Sequence, residues 1–139
     1  MSDMLQVTRR YDAAPERVFD AWLDPKTAGR FLFATPDGEM VKAEIDPRVG
    51  GKFNFTDRRP DAGDVAHVGE YLEIDRPRRL VFTFAVPQYD PGLTTVRIDI
   101  VADGSGSRLT LTHTGVPEEW AKQTTQGWGM ILEALAKAL

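Results

Sequence analysis

The last 23 residues of the chain, PEEWAKQTTQGWGMILEALAKAL (residues 117–139), form its longest stretch with helical periodicity. Pro117 suits a first helical position, where the missing N–H of proline leaves no hydrogen bond unmade. One apolar stripe runs through Trp120, Thr124, Trp128, Ile131, Leu135 and Leu139. At 1.5 Å per residue such a helix is about 34 Å long. Several strands must therefore curve around it, and a sheet that grips one helix in this way often leaves a cavity between them.

Most of the preceding chain alternates between apolar and polar residues, which is typical of strands. Residues 4–11 are predicted as the first strand, and two short helices follow, opened by Pro15 and by Asp24-Pro25. From Glu39 the period is two, through five or six strands with short connections and one longer loop over residues 87–92. Short connections imply antiparallel pairing. The prediction is an α+β fold in one domain over residues 1–139.

Composition excludes several classes of function. The net charge is −4 and the chain has no cysteine, which argues against a nucleic-acid partner and rules out disulfides and thiolate chemistry. His67 and His113 stand 46 residues apart, without metal-ligand spacing, and no dinucleotide fingerprint occurs, so we expect neither a metal nor another cofactor. No segment approaches 18 apolar residues and the start lacks a signal-peptide core. We therefore expect no membrane insertion and a cytoplasmic location.

Several segments together resemble the SRPBCC superfamily, in the branch homologous to the C-terminal domain of the heat-shock-protein-90 ATPase activator. The resemblance covers essentially the whole chain, in order. Its segments are Tyr11–Pro25, Asp46–Phe53, Gly69–Phe82, Leu109–His113 and Gly127-Trp128.

This resemblance implies a START-like helix-grip fold. Such a fold has a curved antiparallel sheet of six to seven strands around the long C-terminal helix, two short helices after the first strand, and a hydrophobic cavity. Members of the family resemble ligand carriers, polyketide cyclases or co-chaperone domains. One departure concerns the segment Arg30-Phe31-Leu32-Phe33, where the family usually has a Trp-Phe pair. The missing indole at the expected cavity mouth implies a different ligand or partner.

Eight side chains are predicted to line the cavity between the sheet and the C-terminal helix. They are Phe53, Phe55, Tyr71, Phe82, Phe84, His113, Trp120 and Trp128. The orientation of Tyr71 is ambiguous because it shares parity with Gly69 and Glu73, and a β-bulge would be needed to turn both Tyr71 and Ile74 inward.

His113 has two interpretations. It shares parity with Leu109 and Leu111, so its ring should face the interior. There it could orient a ligand or move a proton. Alternatively, it is a core histidine bonded to a backbone carbonyl or an indole, since buried polar groups are normally satisfied. The two tryptophans could likewise stack on a planar ligand or simply belong to the core.

The sequence favours a protein that encloses a small hydrophobic or amphipathic molecule. A cyclase-like enzyme with His113 as acid or base is one alternative, but no second catalytic group has a defined spacing to it, so we assign no catalytic residue and expect binding rather than catalysis. A co-chaperone-like module that binds a protein is the other. Five arginines are predicted to lie in loops that could be close together, where they would suit an acidic partner or merely form charged turns: Arg58, Arg59, Arg76, Arg78 and Arg79. The sequence leaves monomer and homodimer open, and the identity of the ligand as well.

Overall fold

The computed structural model describes residues 4–32, 37–88 and 90–139. Seven strands and three helices occur there in the predicted order. They are β1 (Met4–Tyr11), α1 (Pro15–Leu23), α2 (Pro25–Phe31), β2 (Glu39–Ile45), β3 (Lys52–Arg59), β4 (Gly63–Asp75), β5 (Arg79–Val86), β6 (Asp90–Asp103), β7 (Gly106–Thr114) and α3 (Glu118–Ala138). The predicted α+β class and the placement of the helices are confirmed.

All seven strands form one antiparallel sheet in the order β1-β7-β6-β5-β4-β3-β2. Register shifts interrupt β2 between Met40 and Lys42, β4 between Tyr71 and Glu73, and β5 between Phe84 and Val86. Such irregularities bend a strand and increase its twist. They give the sheet the curvature that the helix-grip architecture requires.

The two short helices begin and end where their local sequence predicts. Pro15 is at the start of α1, and the Asp24 carboxylate caps α2 by accepting a hydrogen bond from the backbone N–H of Lys26 at 3.1 Å. The face of α1 that meets the sheet contains Phe19 and Trp22, which are 1 % and 2 % exposed. These two helices therefore cover part of the concave face of the sheet.

The long helix α3 contacts β1 and α2. Its fully buried side chains are Trp128, Leu132 and Leu135, which all lie in its C-terminal half. The hydroxyl of Tyr11 on β1 donates a hydrogen bond to the Leu132 carbonyl at 2.7 Å. This bond attaches the C-terminal half of α3 to the edge of the sheet.

Two predicted boundaries were wrong. Pro117 is the residue before α3 and not its first helical residue. The strand β6 already begins at Asp90, inside the segment 87–92 that was predicted as a loop. Pro91 and Gly92 have low strand propensity, which hid the strand, but pairing of Val86 with Asp90 beyond the irregularity in β5 extends the ladder.

Candidate functional site

The predicted lining residues divide into two groups in the structure. Four of them, Phe53, Phe55, Tyr71 and Phe82, surround a small internal cavity, which we call the aromatic cavity. Three others form a separate hydrogen-bonded group, which we call the histidine cluster: Phe84, His113 and Trp128.

Trp120 belongs to neither group. It is 42 % exposed, so the expectation that it lines an internal cavity is wrong. The reason is that the first ten residues of α3 contain no buried side chain, and the helix is covered only from Trp128 onwards.

The aromatic cavity has a volume of only about 10 Å³ and is lined by Trp22, Leu32, Phe53, Phe55, Tyr71, Leu80 and Phe82. That is room for about one water molecule, whereas pockets for drug-sized ligands measure roughly 300–1,000 Å³. The expected ligand-sized cavity is therefore not formed by these seven residues in this conformation. The lining comes from α1, the residue after α2, and β3–β5, and not from α3 as expected.

The small volume of the aromatic cavity results from aromatic rings that pack against one another. The ring of Phe53 lies 5.9 Å from Phe55, 5.5 Å from Tyr71 and 5.3 Å from Phe82, measured between centroids. The Phe53–Phe82 pair is edge-to-face, an arrangement that aromatic pairs favour. Their mutual packing closes the interior between the sheet and α1.

Two backbone features of β4 bring these rings together. The register shift between Tyr71 and Glu73 confirms the bulge considered for this strand: Tyr71 is 3 % exposed and Ile74 packs against the core. Gly69 lies opposite Phe53 in the ladder. A Cβ atom at position 69 would lie 2.5 Å from the Phe53 ring and 1.8 Å from the Thr83 carbonyl oxygen. Glycine therefore lets the ring lie close against the strand.

Trp22 is a lining residue that the sequence reasoning did not assign to the site. It is 2 % exposed, and its ring meets Phe31 edge-to-face at 5.2 Å. Its Nε1–H group has no hydrogen-bond partner in the described part of the chain. The apolar face of α1 indicated that Trp22 is buried, but no sequence signal shows which groups surround the indole nitrogen.

The aromatic cavity is uncharged. None of its seven lining residues carries a formal charge. Burial, with a smaller contribution from the carboxylate of Asp46, raises the pKa of Tyr71 above its ordinary value. The phenol is therefore neutral throughout the physiological range. The cavity can enclose apolar groups and offers hydrogen bonding without charge.

The histidine cluster forms a directed chain of hydrogen bonds. The Nε1–H of Trp128 donates to Nδ1 of His113 at 2.9 Å. Because an indole is only a donor, Nδ1 carries no proton and Nε2 does. Nε2–H then donates to Oγ1 of Thr94 at 2.7 Å, and that hydroxyl donates to the Phe84 carbonyl at 3.0 Å. Both ring nitrogens of His113 are thus bonded within the chain, as in the core-histidine interpretation.

Both histidines are neutral because they are buried. Burial lowers the pKa of His113 to about 4 and that of His67 to about 4. The ring of His67 stacks on Phe84 at 6.1 Å, and its Nδ1 lies 3.1 Å from the Phe55 carbonyl oxygen, so Nδ1 carries the proton. These bonds give both histidines structural roles in the concave face of the sheet.

A polar depression of about 500 Å³ lies at one end of β3. Its lining residues are Asp37, Gly38, Glu39, Arg58, Arg59, Pro60, Gly63 and Asp64. Arg58 pairs with Asp64 at 2.8 Å, and Arg59 pairs with the buried Asp57 at 3.0 Å.

The remaining three arginines noted in the sequence are also paired with carboxylates. Arg76 pairs with Asp20, Arg78 with Asp75 and Arg79 with Asp99. Each of the five arginines is thus paired with a carboxylate, which favours the interpretation of charged turns.

Neither a metal-binding group nor a membrane-crossing helix is found among the described residues. Across residues 4–32, 37–88 and 90–139, the His, Asp and Glu side chains do not converge in a group of three that could hold a metal ion. The helices of the same residues lack the combination of length and hydropathy that a membrane-crossing helix needs.

Several proteins of known structure share this fold. Protein CV1439 from Chromobacterium violaceum is 26 % identical, with a TM-score of 0.85 over 97 % of this chain and 95 % of that one. Protein Mll3558 from Rhizobium loti is also 26 % identical, with a TM-score of 0.81 over 100 % and 98 %. An AHSA1-like protein from Aeromonas hydrophila shares the fold at 22 % identity, with a TM-score of 0.84 over 97 % and 90 %.

A search of curated proteins gives no match. A family model, however, matches residues 12–139, which is nearly the whole chain. With the seven-stranded sheet, the paired short helices and the long C-terminal helix all in place, this chain belongs to the family of Activator of Hsp90 ATPase homolog 1-like proteins.

Proposed function

We propose that this protein binds a small hydrophobic or amphipathic molecule between the curved sheet and α1, at the aromatic cavity. The observation that carries the proposal is an internal cavity enclosed by seven apolar and aromatic side chains, without a formal charge among them. Burial of apolar ligand surface there would contribute about 25 cal/mol per Å². A neutral lining is suited to such a ligand, because few polar groups of the site would lose their hydration.

Binding requires the cavity to open, because about 10 Å³ does not hold an organic molecule. Rotation of the Phe53 ring away from Phe82 would widen the space next to α1 without breaking a hydrogen bond, since the two rings meet only by their faces and edges. The apparent affinity then depends on how often the open form occurs. If the open form is about 1 % of molecules, the apparent Kd rises about 100-fold above the intrinsic value.

Thermal unfolding in the presence of a library of neutral lipids and polycyclic ketones tests the proposal. A ligand at 100 times its Kd stabilises the folded state by about 2.7 kcal/mol, which for a chain of this size corresponds to about 5–10 °C in Tm. Denaturing mass spectrometry of the purified protein tests for a co-purified molecule. If nothing co-purifies and nothing in the library raises Tm, the proposal is wrong.

Two leucine variants locate the binding site of any ligand found. Leu80 lines the cavity and is 1 % exposed, whereas Leu109 is 0 % exposed and lies on β7 outside the lining. Both changes to alanine remove the same atoms from the core. We expect Leu80→Ala to change ligand affinity and Leu109→Ala to leave it within about twofold. Equal effects of the two variants would place the ligand elsewhere.

The cyclase-like alternative has less support from the geometry. An acid or base role for His113 would first require release of its bonds to Trp128 and Thr94.

Binding of a protein partner is a second candidate function, favoured by the polar depression at the end of β3. Its exposed Arg58–Asp64 pair has a matched counterpart in Arg108–Asp103, which lies on the β6–β7 ladder. Alanine at both members of the first pair should abolish capture of such a partner, and the same change in the second should not. Equal capture by both variants would exclude the depression as the contact surface.

A further inference from the structure

Trp22, which lines the aromatic cavity, carries an indole N–H donor without a hydrogen-bond partner among the described residues. We infer, resting on the proposed function, that the Nε1–H of Trp22 selects neutral ligands carrying an acceptor oxygen, such as aryl ketones, esters or ethers, and that ligands whose acceptor is a carboxylate are rejected. Trp22 is then the residue that determines specificity at this cavity.

The two buried tryptophans differ in the bonding of their indole nitrogens. The exposed fractions of Trp22 and Trp128 are 2 % and 3 %. The Nε1–H of Trp128 donates to His113 at 2.9 Å, as buried indoles normally do. The Nε1–H of Trp22 has no acceptor among the described residues. A buried donor without a partner is rare in native proteins, and Trp22 is one of the residues that enclose the cavity.

The lining of the aromatic cavity disfavours an anionic ligand. An indole nitrogen only donates, so the ligand atom opposite it must be an acceptor. The lining contains no lysine, arginine or protonated histidine to balance an anion. Asp46, whose carboxylate contributes less than burial to the raised pKa of Tyr71, is itself paired with Arg48 at 2.8 Å. A buried ligand carboxylate would therefore have no counter-charge in the lining, which is strongly unfavourable.

The aromatic cavity also restricts the shape of a ligand. Before it opens, its volume of about 10 Å³ holds no more than about one water molecule. The walls consist of aromatic rings together with Leu32 and Leu80, so the part of the ligand behind the acceptor would contact Phe53, Phe82 and the ring of Trp22 itself. A planar apolar ligand with one carbonyl oxygen would supply both the acceptor for the indole N–H and the apolar surface that packs against these rings.

Three probes of nearly equal size test the inference: acetophenone, which has the carbonyl oxygen; α-methylstyrene, in which a CH₂ group replaces that oxygen; and benzoate, which carries a charge. The chain has three tryptophans, so the ¹H–¹⁵N spectrum should show three indole N–H signals. Acetophenone should shift the Trp22 signal downfield. The signals of Trp120 and Trp128 serve as internal references, because one is exposed and the other is bonded to His113.

A matched pair of variants separates hydrogen bonding from shape. Trp22→Phe keeps an aromatic ring and removes the donor, whereas Trp120→Phe makes the same chemical change outside the cavity. We expect Trp22→Phe to weaken acetophenone roughly fivefold to tenfold, while the affinity for α-methylstyrene changes less than about twofold. Trp120→Phe should change neither affinity, and benzoate should not bind to any of the three proteins.

The outcomes distinguish this inference from the proposed function. If both neutral probes bind the native protein and Trp22→Phe weakens them equally, Trp22 has no role as a donor and the inference is overturned, although the cavity remains a binding site. Binding of benzoate as tightly as acetophenone also overturns it. If neither neutral probe binds the native protein at millimolar concentration, both the inference and binding at this cavity are wrong.

Discussion

Replacing each buried tryptophan by phenylalanine should have very different effects on stability. Trp22 and Trp128 are 2 % and 3 % exposed, so both substitutions remove the same atoms from interiors of similar burial. The loss of apolar contact and the space left behind are therefore of similar size in the two variants. What differs is the hydrogen bond of the indole nitrogen.

The expected difference in stability between the two variants follows from the hydrogen-bond partners of the two indole nitrogens. Trp128→Phe leaves Nδ1 of His113 buried without its donor, which costs about 1–3 kcal/mol. Trp22→Phe removes a donor that has no partner in the described residues and so relieves a penalty of about the same size. We expect Trp128→Phe to be more destabilising than Trp22→Phe by at least about 2 kcal/mol.

Urea unfolding followed by circular dichroism measures this difference. With a slope of about 2 kcal/mol per M, the unfolding midpoints of the two variants should differ by about 1 M urea. Trp120→Phe is the control, since its side chain is 42 % exposed and the midpoint should move little. If Trp22→Phe is as destabilising as Trp128→Phe, the indole nitrogen of Trp22 is already satisfied and the reasoning fails.

Two further expectations follow from the core. Gly69→Ala should destabilise the fold by about 3 kcal/mol or more, because its Cβ would lie 1.8 Å from the Thr83 carbonyl oxygen. Gly127→Ala, on a helix with open space around it, should instead stabilise the fold by up to about 1 kcal/mol. Equal effects of the two variants in thermal unfolding would contradict the packing described around Gly69. Burial lowers the pKa of His113 and His67 to about 4, so the unfolded chain binds more protons between pH 6.5 and 4 and stability falls as the pH drops through that window. His113→Gln should reduce the loss of unfolding free energy between pH 7 and 4.5 by ~2–3 kcal/mol, measured by urea unfolding at both pH values. If the variant loses as much stability as the native protein, His113 titrates normally in the folded state.

Local sequence patterns were sufficient to predict the secondary structure and its order. Alternation located the strands, and the side chain of Asp24 indicated the start of α2, because strand parity and helix capping depend on residues only a few positions apart. The same parity placed Phe53, Phe55 and Phe82 on the concave face, where the structure has them. The bulge at Tyr71 could be considered from the sequence, but its presence depends on the partner strand β5.

Which side chains meet at the site depends on contacts between segments that are far apart in the sequence. The bond from Trp128 to His113 joins α3 to β7, and the space next to Trp22 is set by rings from three different strands. Trp120 is exposed although helical periodicity puts it in the same apolar stripe as Trp128. These outcomes follow from volumes and distances that no local pattern contains.

The sequence by itself therefore determined the order of the strands and helices and most of the inward face of the sheet, since side-chain direction repeats with the period of the local backbone. The tertiary structure alone decided that the aromatic cavity is only about 10 Å³, that His113 is bonded on both sides, and that the nitrogen of Trp22 is left without a partner among the described residues. The physical reason is that close packing and hydrogen-bond satisfaction are properties of groups brought together from across the chain.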